Sequence, residues 1–300
     1  MHDVVVYLSS LPRIADRNRK VETLQAFAQG AKAQGASVLV QTDYQVVPAR
    51  LAVILGWVGT KITGQHIQLR RSAIDLQRQS GNKIMSIDGS CFKFADPTSI
   101  FLRYSIDGVY YNTDNYANEH SGPEKWTRVQ QGLNLNMRPW RDTGDHILVC
   151  GQRDGGWSMK GVDMPAWTIQ TVRQIRQYTD RRIVVRPHPR FPMGMQLFAG
   201  IPNVTVSTGT TLEQDLKNAW ASVFFNSSSC VASLLAGVPV FAGDSDCVAW
   251  TVANKDLSEI NNPALVDRSQ WLYDLSAAHW TDAESRAGAI YQKFLPFLPT

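Results

Sequence analysis

Charge is scarce in this chain of 300 residues: 19% are Asp, Glu, Lys or Arg, against 44% hydrophobic. A chain so apolar can bury enough surface to offset the entropy lost on ordering, which excludes an intrinsically disordered segment. Long hydrophobic runs are also missing, since stretches such as residues 51–58 fall well short of a bilayer span. The first ten residues lack a basic region and a cleavage site, so no export is expected and a cytoplasmic location fits. Four cysteines, Cys91, Cys150, Cys230 and Cys247, are scattered with no C-x-x-C pair and no histidine at ligand spacing. Neither a disulfide framework nor a zinc site is indicated.

What charge there is falls unevenly. Up to Asp145 there are 17 Lys or Arg against 13 Asp or Glu, and after it 13 against 13, so the whole net charge of +4 belongs to the first half. It concentrates in Arg13, Arg17, Arg19 and Lys20, and again between Lys61 and Lys83. Two readings stand side by side, solvated helix faces or a surface for a polyanion.

Patterning gives the organisation. Uninterrupted apolar runs at residues 4–8, 37–40, 52–58 and 83–87 alternate with helical periodicity at 21–34 and 66–79. Continuous apolar strands separated by helices indicate a parallel sheet covered on both faces. Residues 96–141 are irregular and aromatic, and residues 138–144 read as a linker. The alternation restarts with strands at 146–150, 182–186, 204–206, 221–226 and 238–240 and helices at 165–178, 212–218 and 229–236. The expected divisions are a first lobe over 1–143, a second over 144–275 and a terminal helix over 276–300.

Three constellations at expected strand ends could carry chemistry. The first is Cys150-Gly151-Gln152-Arg153-Asp154-Gly155-Gly156 with Lys160, a glycine-rich turn where backbone N–H groups can approach a phosphate and Arg153 or Lys160 can neutralise it. Gly155-Gly156 is equally compatible with a plain surface turn. The second is Arg186-Pro187-His188-Pro189-Arg190, whose prolines stiffen the turn and hold His188 in a fixed direction. A histidine beside a strand can also be structural. The third is Ser227-Ser228-Ser229 ahead of a helix, where one serine could serve as an N-cap and three together suit an anion.

Taken in order, the glycine loop, Arg-Pro-His-Pro and Ser-Ser-Ser followed by Gly237-Val238-Pro239-Val240 resemble the donor lobe of GT-B glycosyltransferases with an HP motif and a serine motif. The resemblance covers about residues 146–245. It implies an α/β fold of two Rossmann-like lobes facing a central cleft, with the C-terminal helix crossing back to the first lobe. It further implies that Gly151, Arg153, Lys160, Arg186, His188, Ser227, Ser228 and Ser229 bind a nucleotide-sugar co-substrate, with no tightly bound cofactor and no metal. Many members hold the ribose with an acid in the helix after the serines; here that place has Val231-Ala232, and Glu213 or Asp246 is the substitute.

If the reaction inverts the anomeric centre, a carboxylate must take the acceptor's proton. Asp88 and Asp107 are the candidates, with Asp114 third; each of the first two precedes a glycine and reads also as an ordinary turn. The basic loop of Arg13, Arg17, Arg19 and Lys20 suggests a polyanionic acceptor. In build the chain is similar to phage enzymes that glycosylate hydroxymethylated pyrimidines in DNA, which implies transfer of a hexose, glucose from UDP-glucose, to 5-hydroxymethylcytosine by a monomer without membrane contact. Trp57, Tyr110 and Tyr111 would then be available to stack on a flipped base or belong to the core. Capsule-type sialyl, Kdo and glycerophosphate transferases carry HP and serine motifs too, so a CMP- or CDP-linked donor is the alternative. A non-catalytic nucleotide- or DNA-binding protein is the third reading.

Overall fold

The computed structural model describes residues 2–12, 17–59, 63–98 and 100–300. The chain divides into two compact units, Met1–Val129 with Leu272–Thr300, and Gln130–Trp271. In the first unit β1 (His2–Tyr7), α1 (Arg17–Ala33), β2 (Val38–Gln41), β3 (Ala49–Leu55), α2 (Gln65–Gln79) and β4 (Lys83–Asp88) wind as expected. The run Val4-Val5-Val6-Tyr7 is apolar throughout because both faces are covered. Val4 and Val6 pack with Leu24 and Phe27 of α1, while Val5 and Tyr7 pack with Leu69 and Ala73 of α2.

The irregular stretch contains two elements that its sequence did not announce, β5 (Leu102–Ile106) and α3 (Glu124–Leu133). The β5 strand runs antiparallel to β4, pairing Asp88 with Arg103 and Met85 with Ile106. The sheet order is β11-β5-β4-β3-β1-β2, the strand β11 (His279–Trp280) coming from the C-terminal segment.

The second unit contains β6 (His146–Cys150), α4 (Met164–Arg176), β7 (Arg182–Arg186), β8 (Val204–Val206), α5 (Leu212–Leu216), β9 (Ala219–Phe224), α6 (Cys230–Leu235) and β10 (Val240–Ala242). All five strands are parallel, in the order β10-β9-β6-β7-β8. Ile147 and Val149 of β6 meet Val172 and Ile175 of α4 in its core.

The unit boundary falls at 129/130 instead of 143/144. Residues 138–144 are part of the second unit: Arg138 N–H donates to Leu235 O at 2.9 Å, Arg141 N–H to Gly237 O at 2.9 Å, and the Arg268 guanidinium lies 3.6 Å over the Trp140 ring. At the other end α7 (Ser269–Ala277) is followed by α8 (Asp282–Arg286) and α9 (Ala289–Phe294), so the terminal segment is several short helices and a strand. It returns to the first unit from Leu272 onward. There α1 meets α8 through Gly30, where an added Cβ would stand 1.9 Å from Ser285 O.

Candidate functional site

Parallel strands put their carboxyl ends on one edge, and in the second unit this gathers all eight expected donor contacts. Gly151, Arg153 and Lys160 follow β6; Arg186 and His188 end and follow β7; Ser227, Ser228 and Ser229 follow β9. The order β10-β9-β6-β7-β8 reverses direction between β6 and β9, the switch point at which open α/β sheets form a crevice.

Two side chains that the sequence analysis passed over bridge that point. Gln152 Nε2 donates to Asn226 Oδ1 at 2.8 Å, and Asn226 N–H donates back to Gln152 Oε1 at 3.3 Å. Asn226 Nδ2 also donates to Ser158 O at 2.7 Å and to Asp244 Oδ1 at 3.3 Å. Both residues are buried. Their position directly after β6 and β9 is the only signal the sequence carries for them.

Within the set, the groups differ in what they can still bind. Lys160 lies between Asp244, at 3.2 Å, and Asp246. Burial opposes its charge, but the two carboxylates outweigh that and hold its pKa above the usual lysine value. The expectation that the chain has no Asp-x-Asp metal motif is corrected by Asp244-Ser245-Asp246, which has that spacing; here Lys160 lies between the two carboxylates. The same contact directs Asp246 to Lys160, while Glu213 is exposed on α5. Arg186 is likewise engaged, donating to Asp215 and, at 3.0 Å, to Gly209 O. Asp215 also accepts from Ser207 Oγ at 2.6 Å.

Arg153 is exposed, and its guanidinium has no hydrogen-bond or ionic partner among the described residues. His188 Nδ1 accepts the Arg190 N–H at 3.1 Å, which places the ring proton on Nε2. Gly151 lets β6 close on β7, its N–H donating to Arg186 O at 2.8 Å; a Cβ there would come 2.8 Å from Met193 Cε. Ser229 stands at the N-cap of α6 but makes no cap bond. Instead the Ser227 hydroxyl donates to Ser229 Oγ at 3.1 Å and accepts the Ser229 N–H at 3.3 Å.

The first unit separates the two expected bases. Asp88 ends β4 on the carboxyl edge, with Oδ1 accepting the Gly89 N–H at 2.8 Å and Oδ2 paired with Arg103 at 2.9 Å. Asp107 follows the antiparallel β5 and so lies beside the start of β4, paired with Lys83 at 2.7 Å. The two carboxylates therefore occupy opposite edges of one sheet, and Asp107 cannot share a site with Asp88. Asp114 closes a local turn, accepting the Tyr110 N–H at 2.7 Å.

Of the basic segment, Arg13 lies outside the described residues. Arg17 donates to Leu11 O at 3.0 Å, Arg19 is exposed, and both stand with Lys20 in the first turn of α1. Trp57 packs against the α2 side of the core, and Tyr111 lies 5.5 Å from the Tyr116 ring and accepts from Asn118 Nδ2 at 3.0 Å.

No protein family model matches the chain, and no curated protein matches it. Among solved structures it is similar to Thermosulfurimonas dismutans KpsC, a beta Kdo 2,7 transferase, at 14% identity over 99% of both chains with a TM-score of 0.57. A second, the beta Kdo 2,4 transferase of KpsC from the same organism, aligns at 13% identity over 92% of this chain and 90% of that one, also with a TM-score of 0.57. The fold is of the GT-B type. Its two α/β units, the first with a mostly parallel sheet carrying antiparallel β5 and β11 and the second with an all-parallel one, are the Rossmann-like lobes of that class. No helix among the described residues is long and apolar enough to cross a membrane.

Proposed function

We propose that the protein is a glycosyltransferase that takes a sugar from a nucleotide-linked donor bound at the carboxyl edge of the second unit, and that the donor is CMP- or CDP-linked. The observation that carries this is the juxtaposition of Arg153, His188 and the three serines around the β6/β9 switch point, with α6 offering only Val231 and Ala232 where an acid would hold a ribose. The likeness in fold to two Kdo transferases over nearly the whole chain supports the capsule-type donor ahead of UDP-glucose.

In the reaction the bond from the anomeric carbon to the phosphate oxygen breaks and its electron pair leaves with the phosphate. Arg153 and the Nε2–H of His188 stabilise that charge, and the Ser227 to Ser229 segment holds the remaining oxygens. Gln152 and Asn226 fix the two loops against each other, so the donors keep their directions while charge develops. The acceptor hydroxyl attacks the anomeric carbon; Asp88 is the proposed proton acceptor in the first unit, which requires Arg103 to yield one of its oxygens.

Incubation with CMP, CDP and UDP, read by the shift in melting temperature, tests the donor. Stabilisation by a cytidine nucleotide that disappears in Arg153→Ala and His188→Ala is the expected result. Stabilisation by UDP alone would overturn the donor assignment. A second reading, hexose transfer from UDP-glucose to 5-hydroxymethylcytosine in DNA, has one observation in its favour. Arg17, Arg19 and Lys20 crowd the start of α1, whose first turn holds no acid among the described residues; the helix dipole disfavours cations there, and a bound polyanion would offset that. A mass gain on the modified base after incubation with such DNA and UDP-glucose would establish it.

A further inference from the structure

The first sheet has its own switch point. Its parallel strands run in the order β2-β1-β3-β4, so the chain leaves β1 and β3 in opposite directions along the sheet. Arg70, carried there by α2, joins the two departing segments: its Nε donates to Ser10 O at 2.9 Å and its NH1 to Trp57 O at 3.1 Å. Gly56, at φ +81°, gives the guanidinium room, since a Cβ would stand 3.1 Å from NH1.

This arginine is 7% exposed, yet its protein partners are carbonyl oxygens and it forms no ion pair among the described residues. A buried charge is ordinarily paired, because an uncompensated ion out of water is costly. Burial pulls its pKa down to about 10, and the acid that acts on it is Asp88. Asp88 itself is bound to Arg103 and to the Gly89 N–H. Among the described residues the other titratable group facing Arg70 is His66, which brings no negative charge. The second terminal nitrogen of the guanidinium donates to no described protein atom.

We infer that Arg70 anchors an oxyanion, a carboxylate or a phosphate, carried by the acceptor. The geometry suits it: the planar fork is already oriented by two carbonyls and presents its remaining N–H groups at a switch point. That the ligand is the acceptor rests on the function proposed above; that an anion binds at Arg70 does not.

The test is calorimetric titration of the full chain, its donor site filled with saturating CMP, with inorganic phosphate, with free Kdo and with glucose as a neutral control; CMP itself is titrated separately. Expected is binding of phosphate or Kdo and not of glucose, weakened tenfold or more in Arg70→Lys and Arg70→Met with CMP affinity unchanged. Kdo without phosphate identifies a carboxylate, and the reverse a phosphate. Arg70→Lys keeps the charge, so a loss of anion binding at an unchanged melting temperature separates recognition from a merely structural tie between the loops. No anion binding by the natural chain, or binding retained in both variants, overturns the inference. Cytidine nucleotide binding in that case leaves the donor proposal standing, and anion binding without any nucleotide effect would do the opposite.

Discussion

Acid should unfold the first unit through His279. This residue is 0% exposed, with Nε2 accepting the Cys91 N–H at 2.9 Å and Nδ1 donating to Leu275 O at 2.7 Å, so the ring is neutral in the fold. Burial, reinforced by Arg103 and Lys125 nearby, lowers its pKa from 6.5 to about 3. In the unfolded chain it protonates near 6.5. The neutral ring therefore contributes its full stability above pH 6.5, and that contribution is lost as pH falls from there toward 3. Each pH unit in this window removes about 1.4 kcal/mol, and the whole window about 5 kcal/mol. Carboxylates titrate at the acid end too, so the measurement is a difference. Urea midpoints of the natural chain and of His279→Gln are compared at pH 7.5, 6.5, 5.5 and 4.5. The advantage of the natural chain should be constant down to about pH 6.5 and then shrink by about 1.4 kcal/mol per unit. An advantage unchanged to pH 4.5 would refute the buried neutral ring.

Other substitutions separate binding from packing. Gly30→Ala forces a Cβ against Ser285 O, backbone against backbone, and should destabilise the chain by about 1–3 kcal/mol in urea unfolding. Arg153→Ala should cut transfer more than about tenfold, about 1.4 kcal/mol or more, while the melting temperature stays put because the side chain is exposed. Arg186→Ala should instead unfold at lower urea by about 3 kcal/mol, since it strands the mostly buried Asp215 carboxylate. Asp107→Asn should leave transfer within about twofold, whereas Asp88→Asn should lower it and also loosen Arg103.

Much of the fold was legible because apolar runs and their periodicity reflect burial directly. The triplet of valines in β1, the strand ending in Arg186 and the helix spanning most of 65–79 could be read from patterning, and parallel pairing then places every strand end of the second unit on one edge. The sequence alone thus determined which residues follow strands, and so which could form a site there. It could not determine direction within an irregular stretch: β5 turned out antiparallel, and that reversal alone carried Asp107 to the far edge of its sheet. Nor could it determine pairing. Lys160 and Arg186 looked as available to a phosphate as Arg153, but their carboxylate partners lie 84 and 29 residues away in sequence. Ionic partners are chosen by tertiary proximity, which no local spacing records. Arg70 shows the same from the other side: a charged residue on an amphipathic helix reads as solvent-exposed, and only the meeting of three segments buried it against carbonyls at a switch point.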